Sequence, residues 1–284
     1  MREIVNGISM HVRVLGPADG LPLLLIHGFP LTGEIWSPVA SLLEDQFRLI
    51  IPDLRGFGQS ELAEQHEPGV VPAMSIAQYA DDLFVMLEEI GEQRPMVVVG
   101  LSMGGYIAME FHRRFTSAVR ALALVDTRAE PDTPERAQER LAAAERVRIE
   151  GSGVIANSIV DKLFAPGAPS VLREQWHRIM MQLRPEAIAA ALLAMAARGG
   201  YMDMLHTILC PTLIIVGEQD IITPPADAQT LKRGILISEV EVIPEAGHLT
   251  PIEQPERLSA TITRFLNQHV ISHAPIASSA SARV

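Results

Sequence analysis

Short apolar runs recur through this chain, and each ends on a turn signal. MVVVG (96–100), ALALVD (121–126) and TLIIVG (212–217) are continuous, without the in–out alternation of a strand that has one wet face. Runs of that length and composition suit strands buried on both faces, which predicts a mostly parallel sheet covered by helices. LPLLLIHG (21–28), FRLIIPD (47–53) and VEVIPEAG (240–247) add three more strands. ISMHVRVLG (8–16) alternates and predicts a half-exposed strand before the turn at Pro17–Gly20. Between the runs lie helical patterns. SIAQYADDLFVMLEEIG (75–91) opens on Ser75 as an N-cap and ends on Gly91, with Ile76, Tyr79, Leu83, Met86, Leu87 and Ile90 at helical spacing. Strands alternating with helices give the α/β class.

The alternation breaks between about Thr127 and His206. PERAQERLAAAERVRIEG, GVIANSIVDKLF, SVLREQWHRIMMQL and RPEAIAAALLAMAARGG all read as helices, with no strand between them. Gly151, Pro166, Pro169, Pro185 and Gly199 punctuate the joins. This predicts a helical insertion over 127–206 between two core segments, 1–126 and 207–272, followed by a disordered tail over 273–284. Met180, Met181, Met195, Met202 and Met204 crowd the insertion, as adaptable apolar surface or as ordinary helix packing.

One feature at a strand–helix junction points to chemistry. Gly100-Leu101-Ser102-Met103-Gly104 places a serine between the run MVVVG and a helical run. A nucleophile on so tight a turn projects its hydroxyl clear of the backbone, and the small residues two before and two after permit it. The helix behind it aims its positive end at the site. A capping serine in a plain turn would show the same five residues.

A serine hydroxyl needs a base to take its proton. His248 follows the last strand in a loop flanked by Gly247 and Pro251, C-terminal to the serine as the order Ser…Asp…His requires. His11, His112, His177, His206 and His269 read as surface residues, and His27 as structural. The base in turn needs a carboxylate. Asp220 comes first, just past the strand TLIIVG, with Glu218 and Asp126 as alternatives. An oxyanion needs two donors: the N–H of Met103, and that of Phe29 after the tight turn at Gly28. Trp36, Ile221 and Leu249 stand beside these motifs and are candidates to line a pocket. Few charges flank the motifs, which suggests an apolar or weakly polar substrate; Arg128 is a candidate to engage a carboxylate.

Bulk properties exclude some classes. The net charge of −11 argues against nucleic acid and anionic membrane as partners. Cys210 is the single cysteine, so no intramolecular disulfide forms. The N-terminus MREIVNGISMHVRV lacks a signal-peptide core and LPLLLI is too short to span a bilayer, so the expectation is a soluble, cytoplasmic protein.

Taken together, HGFP (27–30), DLRGFGQS (53–60), GLSMGG (100–105), GEQD (217–220) and AGH (246–248) resemble the α/β-hydrolase superfamily, from about residue 8 to 270. The resemblance implies a sheet of about eight strands, a helical cap after the sixth, and neither cofactor nor metal. It also implies structural roles for Asp53 and Arg55, with Gly56 and Gly58 turning the chain. Ser102 departs from the haloalkane dehalogenases and most epoxide hydrolases, which carry aspartate at the elbow. The chain is similar to 3-oxoadipate enol-lactonases and small carboxylesterases, DTRAEPDTPE being closest to the former, and to the cofactor-free haloperoxidase or perhydrolase group. The implied activity is hydrolysis of esters or lactones by Ser102, Asp220 and His248. Perhydrolysis on the same triad, or a small-molecule receptor built on this fold, are the alternatives.

Overall fold

A computed structural model describes residues 1–63 and 69–271. The 273–284 stretch expected to be disordered lies outside the described residues. The strands are β1 (Arg2–Val5), β2 (Ile8–Leu15), β3 (Leu21–Ile26), β4 (Phe47–Pro52), β5 (Met96–Leu101), β6 (Val119–Val125), β7 (Thr212–Gly217) and β8 (Ser238–Ile243). Among the described residues they form one eight-stranded sheet in the order β1-β2-β4-β3-β5-β6-β7-β8. Only the β1–β2 and β2–β4 pairings are antiparallel.

The continuous apolar runs have a direct cause. On β5, Met96 and Val98 join the core on one face of the sheet, while Val97, Val99 and Leu101 join the core on the other. β6 and β7 divide in the same way, Leu122, Leu124, Ile214 and Val216 against Ala121, Ala123, Leu213 and Ile215. A strand covered twice has no polar face, so period-two alternation disappears. β1 carries no such signal. It is four residues long, sits at the sheet edge and buries only Val5, so the sequence reading missed it.

The helices covering the sheet are α1 (Ser37–Leu43), α2 (Ile76–Glu89) and α3 (Met103–Arg114), and, after β7, α8 (Pro225–Gly234), α9 (Thr250–Glu253) and α10 (Pro255–Leu266). The Ser75 hydroxyl accepts the Gln78 N–H at 3.1 Å and caps α2. Between β6 and β7 stand α4 (Pro134–Glu150), α5 (Gly153–Leu163), α6 (Ser170–Met181) and α7 (Pro185–Ala196), without a strand. Among the described residues no single helix is long and apolar enough to cross a membrane.

The DLRGFGQS loop is held by buried charge. Asp53 accepts the Gly33 N–H at 2.8 Å and the Gln59 N–H at 3.0 Å. Arg55 forks onto Asp82 of α2 at 2.6 and 2.8 Å, with both side chains at 5% exposure or less. Removing one partner of such a pair leaves the other charge buried and alone. Asp82→Ala is expected to destabilise the fold by about 3–5 kcal/mol, read as a lower urea midpoint. A loss below about 1 kcal/mol, the scale of a surface pair, would show that the pair holds nothing.

Candidate active site

The elbow is built by exclusion of side chains. Ser102 has φ 54 and ψ −113, outside the region that L-residues favour. Its N–H donates to Val125 O at 2.9 Å, and its carbonyl accepts the Thr127 hydroxyl at 2.8 Å. A Cβ on Gly100 would stand 2.2 Å from Gly104 O, and one on Gly104 only 2.4 Å from Ile26 O. Only glycine lets strand and helix close this tightly around the hydroxyl.

Around Ser102 the structure gathers residues far apart in sequence. Ser102 Oγ lies 2.8 Å from His248 Nε2, and His248 Nδ1 lies 2.8 Å from Asp220 Oδ2. A carboxylate only accepts, so Nδ1 carries the hydrogen and Nε2 is left to accept the Ser102 O–H. Asp220 is fixed in turn. Its Oδ1 accepts the N–H groups of Ile222 and Thr223 at 2.7 and 3.0 Å, and its Oδ2 accepts the Thr223 hydroxyl at 2.6 Å. Burial would raise the Asp220 pKa, but the charge of His248 and these hydrogen bonds bring it below the usual carboxylate value. Burial would lower the His248 pKa, but the charge and hydrogen bond of Asp220 move it above its ordinary value.

The two alternative carboxylates stand elsewhere. Glu218 is exposed and accepts the Glu245 N–H at 3.4 Å. Asp126 is buried at the end of β6, where it accepts the Gly217 N–H at 2.8 Å and the Thr250 hydroxyl at 2.7 Å. Burial and then the charge of Asp220 push its carboxyl well above the usual range. It thereby joins the segment leading to Asp220 with the one following His248. Thr223 and Thr250 escaped the sequence reading, because a threonine near a loop carries no periodic signal.

Phe29 lies on the cleft wall, with Pro30 following across a cis peptide bond. A Cβ on Gly28 would come within 3.1 Å of Ser102 Cβ, so this loop passes directly against Ser102. Met103 opens α3, where the first N–H groups have no partner inside the helix. His27 is fully buried and accepts the Leu54 N–H on Nε2 at 3.0 Å, leaving Nδ1 to donate to Gly28 O at 2.8 Å. Burial lowers its pKa and keeps it neutral, in a packing role.

The cleft over Ser102 measures about 610 Å³ and lies between the carboxyl edge of the sheet and α4, α5 and α7. Of the three candidate lining residues, only Ile221 is there, 71% exposed. Trp36 and Leu249 are both 0% exposed and belong to the core on the sheet face that carries Val97, Val99 and Leu101. Both side chains are packed in the interior, so a place beside a motif does not give a place beside the substrate. His112 is a second correction: it is 3% exposed, because α3 is wedged between the sheet and α2 and buries every residue from Met103 to His112. His11 and His269 are half-buried, paired with Asp53 and Glu239. The expectation of few charges also changes. α4 turns Arg136, Glu139 and Arg140 toward the outer cleft, and α5 adds Lys162. Arg128 lines the cleft but is engaged by Asp227 at 2.9 Å and by Ile222 O.

The sequence profile of the alpha/beta hydrolase family matches residues 23–261. The chain belongs to that family. This alpha/beta hydrolase is 28% identical to a pimeloyl-[acyl-carrier protein] methyl ester esterase of Nitrosospira multiformis, over 91% of its own length and 98% of the relative's. It is likewise 28% identical to 3-oxoadipate enol-lactonase 2 of Acinetobacter baylyi, over 92% and 94%. Among solved structures, a thermophilic esterase from Thermogutta terrifontis superposes with a TM-score of 0.88 at 38% identity, covering 95% of this hydrolase and 98% of that chain. An enol-lactonase from Burkholderia xenovorans LB400, at 24% identity and a TM-score of 0.84, shares the fold.

Proposed function

We propose that this alpha/beta hydrolase cleaves carboxylic esters or lactones through an acyl-enzyme on Ser102. It is a carboxylic ester hydrolase, with Ser102, His248 and Asp220 as the acting residues. The observation that carries it is the hydrogen-bonded line from Asp220 through His248 to Ser102, opening on the cleft. Ser102 Oγ attacks the carbonyl carbon while His248 Nε2 takes its proton. Asp220 holds the Nδ1 tautomer and stabilises the imidazolium. The N–H groups of Met103 and Phe29 receive the oxyanion of the tetrahedral intermediate. His248 returns the proton to the leaving alkoxide, then activates the water that frees the acid and Ser102. The apolar inner wall, with Ile155, Ile159, Leu192 and Met195, accommodates an acyl or ring portion, and the charged outer wall suits a polar far end.

A panel of p-nitrophenyl esters from acetate to decanoate beside small lactones tests this reading, together with fluorophosphonate labelling. Turnover with stoichiometric labelling of Ser102 is expected; a folded protein that neither turns over nor labels would refute it. The pH profile gives an independent check. Only neutral imidazole accepts the serine proton, and the His248 pKa lies above its ordinary value of 6.5. kcat/KM should therefore rise with pH through one ionisation placed above that value, then level off. An acid limb below the ordinary imidazole value would contradict the role of Asp220.

A further inference from the structure

The backbone that carries His248 is fastened on two sides. On the core side, the Gln219 N–H donates to Ala246 O at 2.8 Å. The other side belongs to the helical insertion. The His248 N–H donates to Leu163 O at 2.9 Å, the last residue of α5. Just beyond, Glu253 at the end of α9 bridges the two segments with both carboxylate oxygens. Its Oε1 accepts the Ala165 N–H at 2.7 Å and its Oε2 the Gly247 N–H at 2.9 Å. The seam is closed to side chains: a Cβ on Gly247 would lie 2.5 Å from Ala165 N and 2.6 Å from Phe164 C. Leu163 belongs to the same seam and also lines the cleft.

We infer that Glu253 is a positioning residue for the reaction, fastening the histidine loop to the helical insertion so that His248 stays in register with Ser102 only while α5 is seated. The inference rests on the Ser102–His248–Asp220 reading above. The bond to Asp220 fixes the rotation of the imidazole, but the position of its Cα is set by the Gly247–His248 backbone. That backbone has a short distance to keep, 2.8 Å from Nε2 to Ser102 Oγ. Without Glu253, the Ala165 and Gly247 N–H groups lose their acceptors at once. Two buried donors without partners favour separation of the segments so that water can enter. A displacement of about 1 Å at a reacting group costs about 10²-fold in rate.

The test measures Glu253→Ala and Glu253→Gln on a p-nitrophenyl ester, well below their unfolding midpoints, with the rate of fluorophosphonate labelling of Ser102 as a second readout. For Glu253→Ala, kcat should fall by about 10²-fold with KM little changed, and labelling should slow in parallel, because both need the base. Glu253→Gln keeps one carbonyl acceptor and should fall in between. Gly247→Ala attacks the seam from the opposite side and should show the same split between kcat and KM, and it carries the test where Glu253→Ala does not fold. Unchanged kcat and labelling, or a loss confined to thermal stability or to KM, would overturn the inference. Those outcomes leave the triad reading intact so long as the wild-type protein labels; a wild type that does not label removes the reading itself.

Discussion

Ser102→Ala is expected to lower kcat by about 10⁶-fold while leaving the protein folded. On the proposed mechanism the substitution removes the attacking oxygen, and among the described residues no other hydroxyl is hydrogen-bonded to His248 Nε2. The elbow itself does not depend on that oxygen. Its bonds run through the Ser102 N–H to Val125 O and through its carbonyl to Thr127, and alanine keeps both. The positive φ of 54 strains alanine as it strains serine. The unfolding midpoint should therefore stay near wild type, and the loss belongs to chemistry. Residual rate above the uncatalysed background would come from the Met103 and Phe29 donors and from binding. Full esterase activity in a stable variant would show that the nucleophile lies elsewhere.

Asp220→Asn is the second large effect, about 10⁴-fold in kcat, and its cause is a tautomer. The Ile222 and Thr223 N–H groups already donate to Oδ1, so the amide places its carbonyl oxygen there. Its NH₂ then occupies the Oδ2 position, facing His248 Nδ1 at 2.8 Å. Two donors cannot meet, so Nδ1 gives up its hydrogen and Nε2 carries it instead. The ring then offers Ser102 a hydrogen where it must accept one. Thr223 adapts, because its hydroxyl can accept as well as donate. The structure should survive, and fluorophosphonate labelling should slow by the same factor as turnover. Labelling at the wild-type rate would assign the tautomer to another group, Asp126 first among them.

The strands of the core were legible because burial on both faces leaves a plain imprint, a run of apolar residues without alternation. The elbow was legible because two glycines, Gly100 and Gly104, must stand two residues either side of Ser102, and each excludes a side chain for a stated steric reason. β1 was not legible, since an edge strand of four residues with one buried side chain constrains its sequence very little. The cleft was legible least. Its walls come from α4, α5 and α7, whose facing is set by packing against the core and not by any motif. Trp36 and Leu249 show the same limit from the other direction: both flank motif residues, and both point into the hydrophobic interior. Glu253 stood in plain view five residues after His248, but its contact with the Ala165 N–H exists only once α5 has returned to the sheet.

The parallel order of the strands has a consequence for how the molecule comes into being. Ser102 and His248 are 146 positions apart and meet only across β5, β6, β7 and β8. Parallel neighbours bring together long stretches of chain before any contact compensates the entropy lost in closing them, so such sheets assemble slowly. β8 docks on β7 at the rim, and the loop bearing His248 follows β8. No fragment of the chain short of that strand can hold the reacting groups together. On the proposed mechanism a nascent chain stays chemically silent until β8 and the loop after it have been made, and during refolding turnover returns after collapse and after helix formation. Hydrolysis counts finished molecules, and intermediates that look native by their helix content contribute nothing to it.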